Sequence, residues 1–375
     1  MSESTNVFRG LKVSGALSRP CLLALACVLA VSTTCGDPEI SVIVQEGERI
    51  DLIYDDEFLL CGGTVSAFDR WIEFAARQLE LDPDSFEHKT YTWLGSEDYK
   101  EISPRTAVDA DGWAFGSESY ATTPDLFHEV THMVAHEVKV NAITFLAEGL
   151  ATALGGQAGN PIIVDGRIDP RPYLGSRYRK IEYSIAGSFV GYLLTIYGPG
   201  RLWQLNQELR FLSTAGRFRR QFRAVYGAEL DDVVDDYLNN ETCPEERWKA
   251  PLSPACDGQE VPWADEDRWY YARVIDCSDA DVVGGLSVGN DRASVALTLR
   301  IEHSDLFSVR VLGEPWALGV LSRCGGCPWL DRSYFVGEEK NLVYLKEGVY
   351  SLVLHARASD ITPVLVAIER RDPSE

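Results

Sequence analysis

The sequence predicts an α+β protein: a mostly helical domain with a small N-terminal sheet, followed by a C-terminal all-β sandwich. Three observations predict it. Stretches between Thr122 and Leu238 repeat their apolar residues at helical spacing. Beyond residue 263 the period falls to two, with Val295-Leu297-Leu299-Ile301, Val309-Val311 and Tyr350-Leu352-Leu354 alternating. Between the two regimes lies a break rich in proline and cysteine, residues 243–263. The expected organisation is therefore an N-terminal signal (1–35), a first domain (36–242), a linker (243–263) and a sandwich domain (264–375).

The signal comes first. Arg9, Lys12 and Arg19 form a basic start, and Cys21–Ser32 is an apolar run too short to span a bilayer. The run ends in V-S-T-T-C-G, which resembles a bacterial lipobox with Cys35 as the lipidated residue. Cleavage by an ordinary signal peptidase is the alternative. In both cases the mature chain leaves the cytoplasm, and in the first it is anchored to the membrane through Cys35.

Export agrees with the cysteine count. Of nine cysteines, Cys61, Cys243, Cys256, Cys277, Cys324 and Cys327 remain after Cys21, Cys27 and Cys35 are set aside, enough for up to three disulfides. The sequence leaves their pairing open. Cys324-Gly-Gly-Cys327 lies among strands with no second C-x-x-C, so it reads as a disulfide-bearing loop more readily than as a redox pair. A net charge of −22 spread along the chain argues against a nucleic-acid partner. The one basic cluster, R-F-R-R-Q-F-R at 217–223, has apolar residues at helical spacing and reads as a solvated helix face.

Residues 38–120 mix both structure types. Ile40–Val44, Ile50–Tyr54 and Thr90–Leu94 are β-rich, and Ala67–Leu79 carries Phe68, Trp71, Ile72, Ala75 and Leu79 in helical phase. Gly112-Trp113-Ala114-Phe115-Gly116 is a short β segment. The stretch that follows organises the rest. It holds His128-Glu129-Val130-Thr131-His132 and, after fifteen intervening residues, Glu148 in F-L-A-E-G-L-A. Positions i and i+4 of a helix differ by about 40° around the axis, so His128 and His132 can share one metal ion. Leu126, Val130, Met133, Val134 and Val138 form the opposite, apolar side. Thr123 suits the N-cap and Pro124 the first helical position. Two imidazoles and one carboxylate leave a fourth zinc position for water, and Glu129 is placed to take its proton.

The pair H-E-V-T-H and F-L-A-E-G-L-A resembles the gluzincin metallopeptidases, in particular the aminopeptidase N-like and peptidase MA-like proteins. That resemblance implies a thermolysin-like fold for the first domain, with Zn2+ held by His128, His132 and Glu148 and with Glu129 as general base. It implies an edge strand at 112–116 that pairs with an extended peptide. It also implies a catalytic tyrosine: Tyr183, opening Y-S-I-A-G, matches a residue that stabilises the oxyanion. The spacer before Glu148 is shorter than in aminopeptidase N or thermolysin, so a tight turn is required. Thr152 stands where thermolysin-like relatives carry an Asp behind a ligand, which leaves the surroundings of the ligands undefined.

After a Gly/Pro/Arg-rich connection, Tyr183–Tyr197 has a helical stripe stopped by Gly198-Pro199-Gly200, and Phe211–Leu238 adds one or two helices. In the sandwich region Gly284-Gly285, Gly289-Asn290-Asp291 and Gly348 mark turns. His136 continues the face of His128 and His132 one further turn along, which suits a solvent or supporting role. The expected function is zinc-dependent hydrolysis of a peptide or protein substrate. Absence of G-x-M-E-N before the helix favours endopeptidase action. The alternative is a non-catalytic zinc-containing surface or adhesion lipoprotein whose sandwich is the binding module.

Overall fold

The structure is a computed structural model that describes residues 42–102, 110–138, 143–155, 167–174, 182–210, 213–239, 256, 258, 260–324, 334–339 and 341–371. The expected signal with Cys35, most of the 243–263 segment including Cys243, and Cys327 lie outside the described residues. The fold is α+β with several sheets. No described helix is long and apolar enough to cross a membrane.

The N-terminal part contains β1 (Val42–Gln45), β2 (Ile50–Asp55), β3 (Leu59–Leu60), α1 (Thr64–Gln78), β4 (Lys89–Trp93), α2 (Ser96–Ile102), β5 (Gly112–Phe115) and β6 (Glu118–Ala121). Five of these strands form one sheet in the order β1-β2-β4-β6-β5, parallel at β2–β4 and β4–β6 and antiparallel at both ends. Strand β2 alternates buried and half-buried residues along its length, as period-two patterning requires. Helices α3 (Phe127–His136), α4 (Thr144–Gly155), α5 (Tyr183–Tyr197), α6 (Pro199–Glu208), α7 (Ala215–Tyr226) and α8 (Leu230–Asn239) follow. They share one buried cluster with the sheet, including Phe68, Tyr91, Val130, Leu146, Phe189, Phe222 and Tyr237. The basic run of α7 divides as expected: Phe218 and Phe222 are buried, while Arg219, Arg220 and Arg223 face solvent.

Two helix boundaries differ from expectation. The turn at Thr123-Pro124 precedes α3 instead of capping it, and the helix starts at Phe127 with Leu126 before it and no side-chain cap. Side chains of β4 hold this approach in a non-helical path. Tyr91 donates its hydroxyl to the Thr123 carbonyl (2.6 Å) and accepts from the Leu126 N–H (3.2 Å), while the Trp93 indole donates to the Thr122 carbonyl (3.1 Å). The second case is Gly198-Pro199-Gly200. It ends α5 as expected, but Pro199 at once begins α6, a first-turn position where its missing N–H costs nothing.

The C-terminal part is β7 (Arg268–Ile275), β8 (Val283–Ser287), β9 (Asn290–Ile301), β10 (Asp305–Leu312), β11 (Leu318–Arg323), β12 (Tyr334–Val336), β13 (Asn341–Leu345), β14 (Gly348–Ala356) and β15 (Thr362–Arg370). A four-stranded sheet runs β13-β10-β15-β7, and a six-stranded sheet runs β12-β11-β14-β9-β8-β3. Both contribute to one buried cluster: Val309, Val311, Val366 and Ile368 from the first, Leu297, Leu299, Leu352 and Leu354 from the second.

The presence of β3 in that list ties the two ends of the chain together. Leu59 and Leu60 pair with Leu286 and Gly285 of β8, and the adjacent Cys61 is bonded to Cys277. Thr64 Oγ1, fully buried at the start of α1, donates to the Gly284 carbonyl and accepts its N–H, both at 3.0 Å. Gly284-Gly285 is therefore strand, not turn. A Cβ on Gly285 would stand 2.6 Å from the Leu59 carbonyl oxygen and 2.8 Å from the Trp93 ring, so only glycine lets β3 approach. Cys324 is bonded to Cys256, outside the C-x-x-C pair that the sequence places it in.

Candidate metal centre

Helix α3 is held on three sides. Leu126, Val130, Met133 and Val134 enter the core, as its apolar stripe requires. On another side the Trp71 indole donates to Thr131 Oγ1 (3.1 Å), Thr131 donates to the Phe127 carbonyl (2.9 Å), and the Trp71 and Phe127 rings stack at 4.7 Å. At the C-terminal end the buried Lys89 of β4 reaches Glu137 at 2.5 Å, placing a cation where the helix dipole is negative. The remaining side carries the histidines.

Helix α4 crosses α3 at the first of them. A Cβ on Gly155 would lie 2.8 Å from both the Cα and the N of His128, so α4 packs directly on the backbone of α3 there. That crossing points Glu148 at the histidine face. His128 Nε2 and Glu148 Oε2 are 3.1 Å apart, His132 Nε2 and Glu148 Oε2 3.3 Å, and the two Nε2 atoms 3.2 Å. Three side-chain atoms thus form a nearly equilateral triangle. Ligands at tetrahedral zinc, with bonds of about 2.0–2.1 Å, stand roughly 3.3–3.4 Å from one another. The donor set, two imidazole nitrogens and a carboxylate oxygen, suits zinc and several other divalent ions. Among the described residues this is the group of His, Cys, Asp and Glu side chains able to hold an ion.

Charge at the centre follows from burial and from this contact. Burial works against ionisation of Glu148, yet the bonds from His128 and His132 hold its carboxyl well below the usual range. Burial also opposes protonation of His132, but Glu148 and Glu129 more than offset it and raise its pKa. Glu129 is buried beside the triangle with its Cγ against Gly112, where a Cβ would stand 2.8 Å away. Desolvation pushes its pKa up, the two imidazoles opposing and Glu148 and Asp111 adding to the rise.

Tyr183 opens α5 and places its ring edge-on to His128, centroids 5.9 Å apart. Burial first, then the charges of Glu148, Glu129 and Asp111, push its hydroxyl up to about 12, so it remains a phenol donor. Strand β5 is the edge of its sheet and passes Leu126 and Glu129 at Gly112. Thr152 lies one turn after Glu148, fully buried, and its hydroxyl has no hydrogen-bond partner among the described residues. His136 is exposed and stands apart from the triangle, as expected. His303 is exposed; His355 is half-buried and accepts at Nδ1 from Arg292 (3.2 Å).

The five site residues expected from the sequence are thus brought together. The sequence did not reveal the supports: Lys89 under the end of α3, the Trp71–Thr131 bond, and the glycine at which α4 crosses α3. Gly149, the glycine of the E-G pair, was a visible signal without a visible reason.

No family model matches the chain, and no curated protein matches it. Among solved structures it is similar to PliG of Salmonella Typhimurium, a periplasmic lysozyme inhibitor of g-type lysozyme. The match covers 30% of this chain and 98% of that one, at 12% identity and a TM-score of 0.22. A likeness that slight leaves the centre to be interpreted from its own atoms.

Proposed function

We propose that the chain is a zinc-dependent peptidase of the gluzincin type, thermolysin-like in residues 36–242, with a C-terminal β-sandwich and an envelope location through Cys35. The observation that supports this reading most is the triangle of His128, His132 and Glu148 with a buried carboxylate, Glu129, next to it. A structural metal site has no need of that fourth group.

Zinc held there would supply a Lewis acid for the attacked carbonyl and for water. The rest falls to the chain. Glu129 accepts a proton from the attacking water and returns it to the departing amine. Burial of Glu129 keeps bulk water from competing for the proton. Tyr183, still protonated, donates a hydrogen bond to the oxyanion of the tetrahedral intermediate. The open edge of β5 offers backbone groups to an extended polypeptide, which fixes the carbonyl between Glu129 and Tyr183.

The test is zinc stoichiometry measured with peptide hydrolysis for the mature protein, Glu129→Gln and Glu148→Ala. The proposal expects about one zinc in the first two, hydrolysis only in the first, and weakened zinc binding in the third. Equal zinc in all three with no hydrolysis in any would overturn it and favour a non-catalytic surface lipoprotein.

A further inference from the structure

His136 and Phe115 are two rings that the chemistry above does not use. Phe115 ends β5 and is 77% exposed; His136 ends α3 and is also exposed; their centroids are 6.2 Å apart. The other end of the same pair of elements is the reacting centre, where Gly112 of β5 lies on Glu129 of α3. From Gly112 to Phe115 an extended strand advances about 10 Å. From Glu129 to His136 a helix also advances about 10 Å. Strand and helix therefore run side by side in the same direction. The two rings mark the rim about three extended residues away from the general base.

Resting on the peptidase reading, we propose that Phe115 and His136 form a specificity subsite. It selects substrates with a large apolar or aromatic side chain at the fourth residue on the amino-terminal side of the cleaved bond. The occupant is the substrate strand that pairs with β5. Its direction follows from pairing energetics, since antiparallel ladders are the more stable per residue. An antiparallel strand runs from the Phe115 end toward Gly112, so its earlier residues lie at the rings and its reacting carbonyl at Glu129. The substrate residue directly opposite Phe115 shares its face of the extended sheet, and such cross-strand apolar pairs attract. Covering the Phe115 ring also removes from water the large apolar surface that is now exposed.

Two peptides differing only at that fourth residue, Phe against Ser, test the proposal. Wild-type protein is expected to favour the Phe peptide by about two- to fivefold in kcat/KM, the range of one cross-strand apolar pair. Phe115→Ser and His136→Ala are each expected to bring the ratio close to one, and Phe115→Leu to restore most of it. A second readout needs no turnover: fluorescence anisotropy of the labelled Phe peptide with Glu129→Gln protein, expected to show tighter binding than the Ser peptide. Hydrolysis of both peptides at equal rates, or a preference that survives in both ring variants, overturns the subsite alone. Neither hydrolysis by wild type nor binding by Glu129→Gln overturns the subsite together with the peptidase reading.

Discussion

Gly149 lies against Ala186 so closely that a Cβ on the glycine would meet the Ala186 carbonyl oxygen at 2.8 Å and Val190 Cγ2 at 2.6 Å. Helix α5 thereby approaches α4 one residue after Glu148, and Tyr183, three residues before Ala186, comes to His128. The glycine of the E-G pair is a spacer between Glu148 and Tyr183. Gly149→Ala is expected to destabilise the fold by about 1–3 kcal/mol, as overpacking does. On the peptidase reading it should also lower kcat more than it alters zinc affinity, if the strain is relieved by a shift of α5, which carries Tyr183 and neither His128, His132 nor Glu148. Urea unfolding and zinc titration of the variant measure the two effects separately.

The proposed zinc site at His128, His132 and Glu148 predicts stabilisation by the ion. Zinc at about a hundred times its dissociation constant should add about 2.7 kcal/mol to the metal-free protein. Calorimetry with and without a chelator would read this as a rise in melting temperature. Glu148→Ala should lose most of that rise, and Glu129→Gln should keep it.

The covalent bond between Cys61 and Cys277 joins residues 216 apart in sequence. Replacing both cysteines with serine is expected to cost about 2–5 kcal/mol. The loss should reach the metal helix, because β3 and Thr64 anchor α1, and α1 braces α3 through Trp71 and Thr131. The measurements are denaturant midpoint and zinc affinity of the double variant, with Trp71→Phe as a local comparison expected to cost about 1 kcal/mol.

Acid should weaken the sheet region through His355. Burial first, then the adjacent Arg292 guanidinium, push its pKa down to about 3. In the unfolded chain it titrates near 6.5, a value typical of free histidine. The unfolded state thus binds more protons between those values, so stability is fully present above about pH 6.5 and falls as pH drops toward 3. Asp125, raised by burial, acts in the opposite sense at acid pH. Subtracting the stability–pH curve of His355→Asn from that of wild type isolates the histidine; a flat difference would refute the assignment.

Much of the centre was legible in the sequence because helix geometry is local. The spacing of His128 and His132 already places them on one face, and the apolar phase of Val130, Met133 and Val134 says which face is buried. The strands of the C-terminal part were legible for the same reason, period two being a property of neighbours. What escaped was long-range contact. Gly284-Gly285 looks like a turn until Leu59 and Trp93 are known to press on it. Thr123-Pro124 looks like a helix start until Tyr91 and Trp93 are seen to occupy the carbonyls of Thr123 and Thr122. Cys324 looks like half of a C-x-x-C until Cys256 is found beside it. In each case the deciding partner lies 29 or more residues away in the chain.

The bond between Cys61 and Cys277 also changes what a break in the backbone means. All helices from α1 to α8 lie between these cysteines, so the polypeptide from one to the other is a closed covalent circle. A protease that cuts once inside the circle opens it without releasing a fragment. A cut between His132 and Glu148 would leave both ligand-bearing halves on one molecule, their separation limited by the intact remainder. In such a nicked chain the disulfide is, among the described residues, the one covalent link between the two halves, and a reductant leaves only their packing to hold them together.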